Sequence, residues 1–164
     1  MDTADNTIIV RADYTNPAHC DAIPFLLNDY ARGLLGFRRD LDASVRQGLV
    51  AGLQAMPTAI VLLAQCGHEF AGIAIAFEGF STFKARPLIN IHDIGVRALY
   101  RGKGIGHALM SEIEVIARTT GCCKITLEVQ EHNAKARSFY AGLGFKESFL
   151  DAEAGAQLFL TREL

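Results

Sequence analysis

The chain has 164 residues, half of them apolar and 21% charged, with a formal net charge of −2. That is ordinary globular composition, and it is long enough for one domain, residues 1–164, to bury a core without staples. The lack of a basic excess argues against nucleic acid as the main partner, and the longest apolar run, Ala59 to Ala64, is far too short to span a bilayer.

Taken in order, Ile8 to Asp13 reads as a first strand. Asn16-Pro17 suits a helix start, and Ile23, Leu26, Leu27 and Tyr30 share one face of a helix from Pro17 to Arg32. Pro24 inside that pattern is expected to kink or split it. After a break at Gly33 to Gly36, Leu41, Val45, Leu49 and Leu53 mark a second helix from Asp40 to Met56. Thr58 to Gln65 and Phe70 to Phe80 read as two strands joined by a turn at Gly67-His68. Ser81 to Pro87 is a loop. A fourth strand then leads to a third helix, in which Ile105, Leu109, Ile113 and Ile116 recur at helical spacing until Gly121, a natural C′ stop. Lys124 to Gln130 reads as a fifth strand, Asn133 to Ala141 as a fourth helix capped by Asn133, and Phe145 to Leu150 and Gln157 to Thr161 as closing strands. The expected architecture is α/β (α+β), a mixed sheet with helices on both faces.

Cys20, Cys66, Cys122 and Cys123 form no C-x-x-C pair and no zinc spacing, so no metal site is expected and reduced thiols in the cytoplasm are the natural reading. The acidic start Met1-Asp2-Thr3-Ala4-Asp5 does not look like a signal peptide.

One run carries the chemistry: Asn90-Ile91-His92-Asp93-Ile94-Gly95-Val96, followed by Arg97-Ala98-Leu99-Tyr100-Arg101-Gly102-Lys103-Gly104-Ile105-Gly106. It begins as a strand and ends as the mouth of a helix. Glycines let backbone N–H groups approach a ligand, the helix start adds unsatisfied donors, and Arg101 and Lys103 add charge. This is an anion cradle suited to a pyrophosphate. The P-loop pattern fails, because no Lys-Ser or Lys-Thr follows a glycine. The dinucleotide fingerprint fails too, because His107 stands at its third glycine.

What remains, Arg101-x-x-Gly104-x-Gly106 after a strand and opening a helix, resembles motif A of the GCN5-related N-acetyltransferase (GNAT) superfamily. Asn133-x-x-Ala136-x-x-Phe139-Tyr140-x-x-x-Gly144-Phe145 resembles that family's second block, at the expected distance. The two blocks and the strand between them cover roughly a third of the chain. The resemblance implies a mostly antiparallel sheet of about seven strands flanked by about four helices. It implies acetyl-CoA as cosubstrate, an amine acceptor walled by the first two helices, direct attack without an acyl-enzyme, and often a homodimer.

It also implies roles. Arg101, Gly102, Lys103, Gly104, Ile105 and Gly106 hold the pyrophosphate, mainly through backbone N–H groups. Ile94, Gly95 and Val96 pair with the pantetheine arm like an extra strand and supply the oxyanion donor. The family usually splays or bulges this strand, and Gly95 would ease that. Asn133 bonds the pantetheine, and Ala136 and Phe139 belong to the same coenzyme-binding block. Tyr140 is the general acid for the departing thiolate, since a phenol with pKa ~10 keeps its proton at neutral pH.

The base is open between His92, Asp93 and a water relay. As neighbours on a strand, His92 and Asp93 are expected to face opposite sides of the sheet, so that only one reaches the acceptor. Many relatives carry glutamate where His92 stands. The acceptor is expected to be a small molecule. A protein or peptide acceptor, and a coenzyme-binding module without turnover, are the alternatives.

Overall fold

The computed structural model describes residues 7–33, 38–147 and 160–162. The chain divides into two compact units, Met1–Glu128 and Val129–Leu164. In the first, β1 (Thr7–Arg11) is followed by α1 (Pro17–Arg32), α2 (Ala43–Gln54), β2 (Ala59–Cys66), β3 (Glu69–Ser81), β4 (Arg86–Val96), a 3-10 turn (Ala98–Tyr100), α3 (Ile105–Thr119) and β5 (Ile125–Leu127). The second holds α4 (Ala134–Gly142).

Five strands pair in chain order, antiparallel except for the parallel β4–β5 pair. The sheet is therefore mixed and mostly antiparallel, as expected, with five strands among the described residues rather than about seven. Most of the two proposed closing strands, residues 148–159, lies outside the described residues. Phe145–Glu147 and Leu160–Arg162 carry no strand.

Helices cover both faces. Ile23 and Leu26 of α1 and Leu53 of α2 pack on Val61, Leu63, Ile73 and Ile75. On the other face, a Cβ built on Gly72 would lie 3.2 Å from Ile105 and 3.4 Å from Leu109 of α3. The apolar run Ile60–Ala64 of β2 is buried throughout, as a strand covered on both faces must be.

Local signals explain the boundaries. Asn16 caps α1, its Oδ1 accepting the Ala18 N–H at 3.0 Å. Pro24 does not split α1; its neighbours Ile23 and Leu26 are fully buried, and that packing outweighs one lost helical hydrogen bond. The end of α3 is a Schellman motif: Gly121 at φ 72°, Cys122 N–H to Ala117 O at 2.8 Å, and Gly121 N–H to Arg118 O at 3.2 Å. Helix α2 starts three residues later than its periodicity suggests. Asn28, buried in α1, donates to Asp40 Oδ1 at 2.8 Å and accepts the Leu41 N–H at 2.8 Å, holding Asp40 and Leu41 outside the helix.

Candidate active site

The register of β4 on β3 slips at one point. Asp93 pairs with Ile75 and Ile91 with Ala76, so His92 is an extra residue, a β-bulge. The bulge corrects the expectation that His92 and Asp93 face opposite sides. Asp93, opposite Ile75, points to the α1 face of the sheet. The His92 ring meets Phe77 edge-on at 4.9 Å, and Phe77 packs on the core of that same face. Strict alternation holds only for a regular pleat, and the inserted residue breaks it. Gly95 is not where the strand bulges; it pairs in regular register with Ile73.

The strand also parts from its other neighbour here. The β4–β5 ladder has three rungs, Ile89–Ile125, Asn90–Thr126 and Ile91–Leu127, and stops where the bulge begins. That is why β5 is shorter than the span Lys124 to Gln130. Among the described residues, Asp93–Val96 pair on one side only, with β3. This splay leaves backbone groups of Ile94 and the N–H of Val96 along an open edge, while those of Gly95 between them face β3.

Around that edge stand His92, exposed, and Asp93, half-buried. Burial pushes the Asp93 carboxyl above its ordinary range, and His92 beside it partly opposes the shift. Asn90 donates to Thr126 Oγ1 at 2.9 Å across the last rungs. Sequence reasoning did not single out Tyr30 at this site. A Cβ on Gly95 would lie 3.2 Å from its Cβ and Cδ2, so the absence of a side chain at Gly95 makes room for that ring. Burial raises the Tyr30 phenol, and the charge of Asp93 raises it further. The one signal in the sequence was a tyrosine on the buried face of α1. Glu78 and Glu128 are exposed.

Beyond Val96 the chain turns into α3. Gly102 and Gly104 adopt φ 78° and 81°, a region open to glycine, and Gly104 is the N-cap. The first intrahelical bond runs from Ala108 N–H to Gly104 O, so the N–H groups of Ile105 and Gly106 have no acceptor within the helix. A Cβ on Gly102 or Gly104 would meet no protein atom within 4 Å. Open glycines ahead of a helix N-terminus fit a pyrophosphate. Arg101 turns back, Nε to Val96 O at 2.9 Å, and so holds the turn itself. Lys103 Nζ lies 5.5 Å from the Tyr100 ring centre.

In the second unit Asn133 caps α4, its Oδ1 accepting the Ala136 N–H at 3.1 Å. Tyr140 is half-buried between Phe139, at 5.3 Å, and Phe145, at 5.9 Å, and its carbonyl accepts the N–H groups of Leu143 and Phe145 at 3.0 Å each. The second sequence block is thus carried by α4, its cap Asn133 and the residues that close its C-terminus.

Comparison with known proteins agrees with this geometry. Residues 26–145 match the family model described as Acetyltransferase (GNAT) family. The uncharacterised N-acetyltransferase YhfO of Bacillus subtilis is 32% identical over 65% of this chain and 73% of that protein. Thialysine N-epsilon-acetyltransferase of Bos taurus is 33% identical over 49% of this chain, which spans about half (47%) of that protein. The crystal structure of a possible acetyltransferase from Clostridium difficile shares the fold, with a TM-score of 0.79 at 18% identity over 96% of this chain and 98% of that one. With the splayed strand, the glycine turn and the helix mouth in the order the family requires, the chain belongs to the Acetyltransferase (GNAT) family and is an acetyl-CoA-dependent acyltransferase.

Proposed function

We propose that the chain acetylates the primary amine of a small molecule by direct attack, with no acyl-enzyme. One observation carries the reading: the bulge brings a histidine and a carboxylate to the same face, beside the open edge of β4. The thialysine N-epsilon-acetyltransferase among the relatives, named for a small amine, supports the acceptor class. The family match runs through both compact units and supports one N-acetyltransferase domain over residues 1–164. Four unpaired cysteine thiols support a cytoplasmic setting.

Bound acetyl-CoA supplies the acetyl group as an activated thioester. The chain's residues do the rest. Backbone groups of Ile94 and Val96 hold the pantetheine arm and one N–H polarises the acyl oxygen. Gly102 to Gly106 take the pyrophosphate, while Arg101 keeps their turn in place. Asn133, Ala136 and Phe139 serve the coenzyme arm as the family block implies. His92, exposed, takes the proton from the acceptor ammonium on an imidazole nitrogen. Asp93, beside it, holds the ammonium's charge before attack. Tyr140 gives its phenolic proton to the departing sulfur.

The test is thiol release with a panel of small amines. His92→Ala is expected to lower kcat/KM about a hundredfold or more at neutral pH. A fully active variant reassigns the base. Tyr140→Phe is expected to lose turnover while keeping coenzyme affinity; a fully active variant reassigns the acid.

A further inference from the structure

The turn that carries the pyrophosphate cradle has almost nothing apolar to hold it. None of residues 98–104 is buried, and Leu99 is 79% exposed. Its geometry must come from polar contacts, and these converge on Arg97, the residue just past β4.

The Arg97 side chain is only 22% exposed. Its Nη1 donates to Glu69 Oε2 at 3.0 Å and to Phe70 O at 3.1 Å, and its N–H donates to Ala71 O at 2.9 Å. Its guanidinium lies 5.1 Å from the ring centre of Phe25 on α1 and 5.4 Å from that of Tyr100. The Tyr100 hydroxyl donates to the same Glu69 oxygen at 2.7 Å, and the other cation over the Tyr100 ring is Lys103, inside the cradle. One arginine thus ties the start of β3, the face of α1 and the 3-10 turn to the cradle.

We propose that Arg97 is a positioning residue: locked by Glu69 and by the rings of Phe25 and Tyr100, it sets the placement of the Gly102–Gly106 turn and through it the affinity for coenzyme A. The inference rests on reading that turn as the pyrophosphate site. Arg97 acts through the turn, so its loss should appear in coenzyme affinity and not in the chemical step.

The experiment is calorimetric binding of coenzyme A to the full chain, with steady-state kinetics, for Arg97→Met, Glu69→Gln and the control Arg118→Met. Arg118 is an exposed arginine paired with Glu114 on α3, so its loss changes net charge equally without touching the turn. Arg97→Met is expected to weaken coenzyme A about tenfold or more, because misplacing binding groups by a fraction of an ångström is costly. Glu69→Gln should weaken it about threefold and Arg118→Met less than about twofold, the share owed to net charge. KM for acetyl-CoA should rise while kcat and the amine KM stay in place. Equal losses in Arg97→Met and Arg118→Met would overturn the proposal, as would unchanged affinity in Arg97→Met. If Arg97→Met does not fold, Glu69→Gln decides: an unchanged coenzyme affinity rejects the role. If the unsubstituted protein itself binds no coenzyme A, the pyrophosphate reading falls first and Arg97 with it, so the two failures are told apart.

Discussion

Replacing Gly104 separates a backbone cost from a ligand cost. Gly104 sits at φ 81°, and a Cβ there would touch no protein atom within 4 Å. Any loss of stability in Gly104→Ala is therefore conformational, and any loss of coenzyme affinity comes from the ligand's side. An L-residue in the left-handed region costs about 1–2 kcal/mol. The less flexible unfolded chain returns about 0.4–1 kcal/mol of that. The net is a destabilisation of about 1 kcal/mol, or a fall in Tm of about 2–4 °C for a chain of this length. Asparagine tolerates the left-handed region, so Gly104→Asn should lose little Tm while carrying the same Cβ. The assay is thermal unfolding with and without coenzyme A at a hundredfold excess over the wild-type Kd. The wild type should gain about 2.7 kcal/mol from the ligand, and a variant with a tenfold weaker Kd only about 1.4 kcal/mol. Both variants should show the smaller ligand gain, and only alanine the lower starting Tm. A full ligand gain in both would refute the idea that the coenzyme occupies the space over Gly104.

Two further outcomes follow from the geometry. Asp93 is raised by burial, so the folded state binds its proton more tightly than the unfolded chain does; this contribution to stability is present below the unfolded carboxylate pKa and is lost as pH rises through the folded one. Asp93→Asn should then gain Tm relative to wild type as pH climbs through the carboxylate range, while losing activity; a Tm difference flat in pH from about 3 to about 8, that is from just below the usual carboxylate range to well above it, rejects it. Gly121→Ala, at φ 72° in the Schellman motif of α3, should cost about 1 kcal/mol of stability in a denaturant titration with kinetics unchanged. A change in kinetics there would mean that the end of α3 reaches the site.

Much of the fold is legible in the chain because its signals are local. Asn16-Pro17 marks the start of α1, Gly67-His68 occupies the two-residue connection between β2 and β3, and Gly121 ends α3 in the left-handed conformation that the residue type predicts. The strand, turn and helix around Gly102 and Gly104 stand as their residues suggest. What was not legible is non-local. The bulge at His92 depends on the register with β3, and a period of two has no means of registering an extra residue. The delayed start of α2 depends on Asn28, thirteen residues before Leu41. Tyr30 looks like any half-buried helix aromatic until Gly95 is seen beneath it. Arg97 looks like a surface charge until Glu69, far earlier in the chain, meets it.

The parting of β4 from β5 has a consequence for the protein without its coenzyme. Among the described residues, the four from Asp93 to Val96 form a strand edge inside the sheet rather than at its rim. Such an edge is a template for any extended chain, including a neighbouring molecule's. The same backbone groups that would grip pantetheine are therefore the place where coenzyme-free molecules can stick to one another. Amide hydrogens on that edge should exchange with solvent far faster than those one strand away, and slow when coenzyme A completes the sheet. In this sense bound coenzyme A would stand as a sixth strand beside β4, protecting the edge it occupies.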